Sequence, residues 1–307
     1  MRICVIIPAH APWHVVELTV GTFLKHHSSH DINMHVGVHL NFCDYTKDYR
    51  MFKDLRGIAQ VHMTEEINWK AHNDSVYRYS TMHAKNLENL IIHAAYYDWD
   101  RIVILDHDLL VKEPFVDKIV KKYPYADIVG AVMSEGLTEF KTSSQQDLYC
   151  VPKLSVWHTV LNRKAFDKIM EDPRVIYPRI LPSPEKEEYA RIYGAKKNLP
   201  FFVDTFADVL HRARHQWDLK TVLLKEPDFA EWVRHFSGSS FNYGYRLLGN
   251  ARYEALMAES QEHFKNELPD GLEPFRTPTK QKKAPRRRDV HSRHKGPHGR
   301  ADVGASL

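Results

Sequence analysis

Short, wholly apolar runs alternate along the chain with longer segments in which apolar residues recur every three or four positions. The apolar runs predict strands over 3–8, 34–40, 58–63, 101–105, 127–133 and 219–224. The longer spacing predicts helices over 12–25, 81–97, 114–122, 163–170, 204–215 and 250–265. Strands that alternate with helices are typical of an α/β protein whose sheet is mostly parallel and flanked by helices.

Two long stretches do not fit this alternation. Residues 134–155 are polar and have no clear period, so we expect a mobile loop there. Residues 172–200 contain five prolines and many charges, and we expect an excursion over the active face of the sheet. The run 101–105 (RIVIL) is continuously apolar after its first residue, which predicts a strand that is buried on both faces.

Composition favours a folded protein in a reducing compartment. The chain has 307 residues, of which 43% are hydrophobic, so we expect one substantial core. Its three cysteines (Cys4, Cys43 and Cys150) have no paired spacing, which favours the cytoplasm. The opening run MRICVIIPAH lacks the flanks of a signal peptide. We find no run of about 18 apolar residues, so no transmembrane segment is predicted.

The positive charge lies at the C-terminus. The net charge is +4, yet residues 276–307 carry ten Lys/Arg against two Asp, so the preceding body is mildly acidic. This segment is rich in Pro, Lys, Arg and His and poor in apolar residues, which predicts a disordered basic tail. It is either a solvated extension or an electrostatic tether to a polyanion such as nucleic acid, an anionic glycan or a membrane surface. No aromatic residue follows Phe275, so base stacking by the tail is not expected.

Asp106 and Asp108 are the strongest chemical signal. They directly follow the predicted strand 101–105, at the end of the sheet where open α/β folds bind ligands. In an extended chain alternate side chains point the same way, so both carboxylates should face the crevice while His107 points aside. A hard divalent cation, Mg²⁺ or Mn²⁺, would relieve their repulsion and bridge a diphosphate. The alternative is that they cap the next helix or turn.

Three segments together resemble a known family. The opening VIIPAH (5–10), the helix HAKNLENLIIHAA (83–95) and RIVILDHD (101–108) resemble the GT-A glycosyltransferases, especially glycosyltransferase family 2. The resemblance covers roughly residues 1–245 and implies a Rossmann-like GT-A domain over 1–275, followed by the tail at 276–307. Within that domain it implies a nucleotide-binding half (about 1–110), an acceptor half (about 111–250) and a C-terminal helix (about 250–265).

The same resemblance implies a donor site. It places Pro8, Ala9 and His10 beside the nucleotide, Asn41 or Asp44 at the base, and Lys85 and Asp106 near the diphosphate, which Ser237 and Gly238 would approach through the backbone. A lysine in a helix is also often simply solvated. In WVRHFSGSS (232–240), His235 matches a further metal ligand, and an imidazole favours Mn²⁺ over Mg²⁺. A buried structural histidine is the alternative.

The acceptor side is inferred from two further segments. In FFVDTFADVLHRA (201–213), Asp204 matches the acid that opens a helix and acts as general base in inverting members, with Asp208 as the alternative. A simple helix cap would explain Asp204 equally. Trp157 and His158 precede a segment that resembles the acceptor-side region, although core packing also suits Trp157.

The sequence therefore predicts a metal-dependent transferase that moves a sugar from a nucleotide diphosphate, most commonly UDP, to an acceptor hydroxyl with inversion. The acceptor is a glycan or a nucleic acid, and hydroxymethylated DNA would suit the basic tail. A retaining transferase on the same fold remains an alternative. So do a nucleotidyltransferase, which would normally bring a glycine-rich loop that PAHAPWH (8–14) lacks, and a non-catalytic polyanion-binding protein.

Overall fold

A seven-stranded sheet forms the centre of the protein in the computed structural model, which describes residues 1–9, 13–39, 55, 58–64, 75–132, 134–141, 146–236 and 249–267. The strands are β1 (Arg2–Ala9), β2 (Asp31–His39), β3 (Gln60–Thr64), β4 (Arg101–Leu105), β5 (Leu109–Val111), β6 (Ile128–Val132), β7 (Thr138–Lys141), β8 (Asp147–Cys150), β9 (Leu154–Leu161), β10 (Arg179–Ile180), β11 (Phe201–Val203), β12 (Thr221–Leu224) and β13 (Val233–His235). The helices are α1 (Trp13–His26), α2 (Ser75–Ala94), α3 (Phe115–Lys122), α4 (Arg163–Glu171), α5 (Ser183–Tyr193), α6 (Ala207–His215), α7 (Glu226–Phe229) and α8 (Asn250–Glu267).

The central sheet is mostly parallel, which confirms the predicted fold class. Its strand order is β12-β6-β9-β4-β1-β2-β3. The pairs β1–β2, β1–β4, β2–β3 and β6–β12 are parallel, whereas β9 runs antiparallel between β4 and β6. Strands β10, β11, β8 and β7 form a smaller sheet, and β5 and β13 form a two-stranded sheet. The carboxyl ends of the parallel strands therefore lie along one edge of the central sheet.

Helices cover both faces of that sheet, so its central strands read as continuous apolar runs. In β1, Val5 and Ile7 pack toward α1, while the alternate residues Cys4 and Ile6 pack against Leu87 and its neighbours on α2. All four β1 side chains are completely buried. Each buried aliphatic side chain of this size stabilises the fold by roughly 1.5–3 kcal/mol relative to exposure.

Helix α2 approaches the sheet closely at Gly37, which fixes the helix that leads into β4. The Asn86 amide donates to the Gly37 carbonyl at 2.9 Å, and its oxygen accepts from the Thr64 hydroxyl at 3.1 Å. A Cβ atom at position 37 would lie 2.2 Å from Asn86 Oδ1, which is shorter than any real contact. Only glycine at this position allows α2 to bind β2 and β3 together.

The structure differs from the predicted loops at two places. Residues 134–155 contain β7, β8 and the start of β9 instead of a loop without regular structure. Residues 172–200 contain a 3₁₀ turn (Pro173–Ile176), β10 and α5. Both segments lack an apolar run because their strands are short or exposed: in β7, for example, Thr138, Glu139 and Lys141 are exposed. Among the described residues, no helix has the length and apolarity that crossing a bilayer requires.

Candidate metal centre

Asp106 and Asp108 occupy the connection between β4 and β5, at the carboxyl edge of the parallel strands. Strand β4 ends at Leu105 and β5 begins at Leu109, so the three residues between them form a tight corner. Both flanking leucines are completely buried, and Asp108 itself is only 3% exposed. The corner is therefore held by packing on both sides, as a site that depends on geometry requires.

Strand β13 brings His235 to the same corner. It pairs antiparallel with β5, and His235 lies opposite Leu109 in the register. Its Nε2 atom is 3.0 Å from Asp108 Oδ1 and 4.0 Å from Asp106 Oδ2. The backbone N–H of Phe236 donates to the Asp108 carbonyl at 2.9 Å, which extends the pairing past the strand end.

The three side chains fit a divalent cation. One ligand atom from each of Asp106, Asp108 and His235 lies within 4.8 Å of the others, and in the described part of the chain this is the one group of three or more such residues that could hold a metal ion. Two carboxylates and one imidazole suit Mn²⁺, and also Mg²⁺ with waters and phosphate oxygens completing the shell. The structure thus brings together the two predicted carboxylates and the predicted histidine.

Opposite charges balance within this corner. Burial raises the pKa of Asp106, but the hydrogen bond and charge of His107, together with His83 and His235, outweigh burial and lower it. His107 Nδ1 lies 3.0 Å from Asp106 Oδ1, so the histidine expected to point aside supports the first carboxylate. Burial lowers the pKa of His235, but the charge and hydrogen bond of Asp108 outweigh it and raise the pKa.

The candidate base Asp204 lies in the connection between β11 and α6, where it is held by three groups. Its carboxylate binds the Lys153 ammonium at 2.5 Å and the Thr205 backbone N–H at 2.7 Å, and Ser80 is a third hydrogen-bond partner. Burial raises the pKa of Asp204, but the charge and hydrogen bond of Lys153 outweigh burial and lower it. The carboxylate is therefore ionised at neutral pH.

Asp204 does not cap the following helix. Helix α6 begins at Ala207, and its cap is Phe206, which has a left-handed φ of 68° and is completely buried. A non-glycine residue in this conformation costs about 1–3 kcal/mol and is concentrated at functional sites. Asp204 therefore neither opens α6 nor caps it. It precedes the strained turn at Phe206, and its carboxylate binds Lys153.

Asp208, the alternative base, is enclosed by donors. Its carboxylate accepts from the Tyr189 hydroxyl at 2.7 Å and from Arg179 and Arg212 at 3.3 Å each. The residue is only 2% exposed. These bonds join α5, β10 and α6 and occupy the lone pairs that a general base would use, so Asp204 remains the candidate.

His158 is a core residue, contrary to its expected place on the acceptor side. It is completely buried, its ring centroid lies 4.7 Å from Phe115 and 5.3 Å from Phe229, and burial lowers its pKa to about 3. The reason is that β9 lies between β4 and β6 in the central sheet, where the His158 ring packs against Phe115 and Phe229.

The remaining predicted residues are placed as follows. Pro8 and Ala9 lie buried at the carboxyl end of β1, on the edge that carries the metal group. Lys85 is about half exposed on α2 and pairs with Glu88 at 2.7 Å. His10, Asn41, Asp44, Ser237, Gly238 and the side chain of Trp157 lie outside the described residues.

Two residues near the candidate site were not predicted. Lys153 pairs with Asp204. His83 on α2 is close enough to Asp106, Lys153 and Asp204 for all three charges to act on its pKa, which burial lowers. His83 is two positions before Lys85, on a different face of the same helix. The family resemblance indicated Lys85 as a residue of the site. His83 is identified only by the orientation of α2 in the structure.

No protein-family model matches the chain, and no curated protein sequence is similar to it. Among solved structures, it is similar to galactosyltransferase LgtC in complex with donor and acceptor sugar analogs (12% identity, 84% of this chain, 96% of that chain, TM-score 0.40). It is also similar to apo mouse xyloside xylosyltransferase 1 (12%, 82%, 94% and 0.38). A third is the mannosyltransferase PcManGT from Pyrobaculum calidifontis in complex with GDP-Man and Mn²⁺ (13%, 55% and 0.34), of which the chain covers only 46%. All three are named glycosyltransferases, but at these TM-scores the likeness assigns no activity to this chain.

Proposed function

We propose that the protein is a metal-dependent glycosyltransferase of the GT-A type, which transfers a sugar from a nucleotide diphosphate to an acceptor hydroxyl. The observation that carries the proposal is the convergence of Asp106, Asp108 and His235 at the carboxyl edge of a mostly parallel sheet. This edge is where α/β sheets bind nucleotides. A divalent cation held there by Asp106, Asp108 and His235 would neutralise diphosphate charge and stabilise the leaving group.

The donor would lie along this edge. Pro8 and Ala9 end β1 there and would contact the nucleotide, with UDP as the expected diphosphate. The proposal keeps His10, Asn41, Asp44, Ser237 and Gly238 as further donor contacts, on the resemblance of their sequence alone. Lys85, whose ammonium pairs with Glu88, would have to leave that partner to reach a phosphate.

Asp204 would act as general base in an inverting reaction. Its depressed pKa keeps it ionised, and the bonds from Lys153 and Thr205 fix its orientation. The acceptor oxygen attacks the anomeric carbon from the face opposite the diphosphate, and its proton passes to a carboxylate oxygen of Asp204. The bond from the anomeric carbon to the phosphate oxygen breaks, and the nucleoside diphosphate leaves with the electron pair.

One observation favours the retaining alternative. A carboxylate that is tightly paired with a lysine is a weaker base, so the Lys153–Asp204 pair would also suit a purely structural role for Asp204. The anomeric configuration of the product separates the two mechanisms. Inversion supports Asp204 as base, whereas retention assigns Asp204 to support of the fold.

The acceptor is proposed on charge grounds. A glycan or a nucleic acid, including DNA with hydroxymethylated bases, would be attracted by the ten Lys/Arg of residues 276–307. A cytoplasmic location belongs to the same proposal, since nucleotide sugars and reduced cysteines coexist there.

The test is release of nucleoside diphosphate from a panel of nucleotide sugars with Mn²⁺ present. We expect one donor to be turned over by the wild type, and the Asp106→Ala/Asp108→Ala double variant to lose at least about 100-fold in rate, because charge stabilisation of the leaving group is lost. Asp147→Ala, which removes an exposed carboxylate that pairs with Lys141, is the matched control and should retain full activity. A turnover rate that depends neither on Mn²⁺ nor on Asp106 and Asp108 would refute the proposal.

A further inference from the structure

The Thr19 side chain on α1 contacts the backbone on both sides of Asp108. Its hydroxyl oxygen accepts from the Leu109 backbone N–H at 2.8 Å and lies 2.7 Å from the His107 carbonyl oxygen. The Leu109 carbonyl is also near, at 2.9 Å. Thr19 is completely buried, so water does not compete for these bonds.

The distances show where this hydroxyl is directed. A threonine within a helix commonly donates to the carbonyl four residues earlier, and here that oxygen, on Val15, is 3.1 Å away. The His107 carbonyl is closer, and a hydroxyl has one proton to donate but can also accept. Thr19 therefore donates to His107 while accepting from Leu109, and it bridges the two peptide groups that flank Asp108.

The opposite side of Asp108 is also fixed. The Phe236 backbone N–H donates to the Asp108 carbonyl, and His235 is the residue immediately before Phe236. The backbone of Asp108 is thus held from α1 on one side and from β13 on the other. Together these contacts fix the backbone position from which the Asp108 carboxylate extends toward His235.

We propose that Thr19 is a positioning residue for the metal group, acting through the backbone of Asp108. The inference rests on the proposed metal-binding function of Asp106, Asp108 and His235. Groups that orient a metal ligand without touching the metal typically change metal affinity 10–100-fold when they are removed. Loss of the Thr19 hydroxyl should therefore weaken metal binding. The weakening should exceed that caused by a substitution that only loosens the packing of α1 on β5.

Thr22 provides a matched control, because it makes the same kind of bond one turn further along α1. Its hydroxyl accepts from the Val111 backbone N–H at 3.1 Å and donates to the Leu18 carbonyl at 2.7 Å. Thr22 is also completely buried. Thr22→Val removes a helix-to-β5 bond as Thr19→Val does, but at the far end of β5 from Asp108.

The experiment measures Mn²⁺ affinity by electron paramagnetic resonance of the free ion, using the full chain without nucleotide. We expect the dissociation constant to rise about tenfold or more in Thr19→Val, and to match the wild type in Thr19→Ser, which keeps the hydroxyl, and in Thr22→Val. If Thr19→Val does not fold, Thr19→Cys replaces it and should also bind weakly, because a thiol is a poor donor and acceptor.

Three outcomes would overturn the inference. Wild-type affinity in Thr19→Val, or in Thr19→Cys where that variant replaces it, removes the positioning role and leaves the metal site intact. Equal weakening in the Thr19 variant and Thr22→Val shows general loosening of β5. If the wild type binds no Mn²⁺, both the inference and the proposed metal site fall, so the two failures are distinguishable.

Discussion

At the scale of single residues, His158 shows what a buried polar group costs. Neither of its ring nitrogens has a hydrogen-bond partner among the described residues, although the side chain is completely buried. An unpaired buried polar group costs roughly 1–3 kcal/mol. We therefore expect His158→Leu to raise the free energy of unfolding by about 1 kcal/mol, measured by urea denaturation at neutral pH.

His27→Leu is the control for this substitution. His27 is also completely buried, but its ring bonds the Phe23 carbonyl at 3.0 Å and accepts from the Val116 backbone N–H at 3.3 Å. Its replacement should lower stability because Val116 loses its partner. A loss of stability in His158→Leu as well would show that His158 has a partner that the described residues do not reveal.

Lys153 sets the acid side of the activity profile if Asp204 is the base. In Lys153→Met the burial that raises the pKa of Asp204 remains, while the cation that lowers it is gone. The base is then protonated at higher pH, so the acidic limb of the rate profile should move to higher pH. Lys164→Met, at a half-exposed lysine beside Asp127, should leave the limb in place. An unmoved limb in Lys153→Met would exclude Asp204 as the titrating base.

At the scale of elements, three histidines join the outer strands of the sheet to α2. His35 Nδ1 on β2 lies 2.8 Å from His62 Nε2 on β3, and the His62 ring centroid is 4.0 Å from that of His93 on α2. The Tyr97 ring lies against His35 at 5.1 Å. Burial, reinforced by the neighbouring histidines, lowers the pKa of both His35 and His62 to about 4.

This cluster should make stability fall in mild acid. The unfolded chain has ordinary histidine pKa values near 6.5, so between about 6.5 and 4 it binds more protons than the folded chain. The contribution is fully present above pH 6.5 and is lost as pH falls toward 4, by at most about 1.4 kcal/mol per pH unit for each histidine. His62→Gln should therefore reduce the slope of unfolding free energy against pH relative to the wild type. Equal slopes would contradict this account.

Some strands of this fold can be predicted from their own sequence, and others cannot. Strand β4 was predicted with its observed bounds because burial on both faces demands a continuous apolar run. Strand β9 was missed because Ser155, His158 and Thr159 interrupt its apolar pattern, although all three are buried. Strands β5 and β13 have three residues each, too few to show a period.

In the candidate site, some residues can be predicted from the local sequence and others only from the fold. Asp106 and Asp108 could be predicted because they follow a recognisable strand. The pairing of Lys153 with Asp204, and the contact of Thr19 with the backbone around Asp108, join residues far apart in sequence. No local pattern encodes such contacts, because they depend on how the elements pack.

At the scale of the whole molecule, the basic segment 276–307 is proposed to serve polyanion binding and not catalysis. It lies outside the described residues, and all candidate catalytic groups precede it. A chain ending at residue 276 should therefore keep its thermal midpoint and its Mn²⁺ affinity. It should bind duplex DNA more weakly than the full chain in dilute salt, with a shallower dependence of affinity on salt concentration. Loss of Mn²⁺ binding on truncation would contradict this division.

The central claim is that Asp106, Asp108 and His235 form a metal site that binds a nucleotide diphosphate. Calorimetric titration of the full chain with UDP, GDP, CDP, ADP and TDP, with and without Mn²⁺, tests it most directly. We predict that one nucleotide binds, that binding requires Mn²⁺, and that the Asp106→Ala/Asp108→Ala variant loses it. Binding of no nucleotide, or binding that is indifferent to Mn²⁺ and to both substitutions, would contradict the claim.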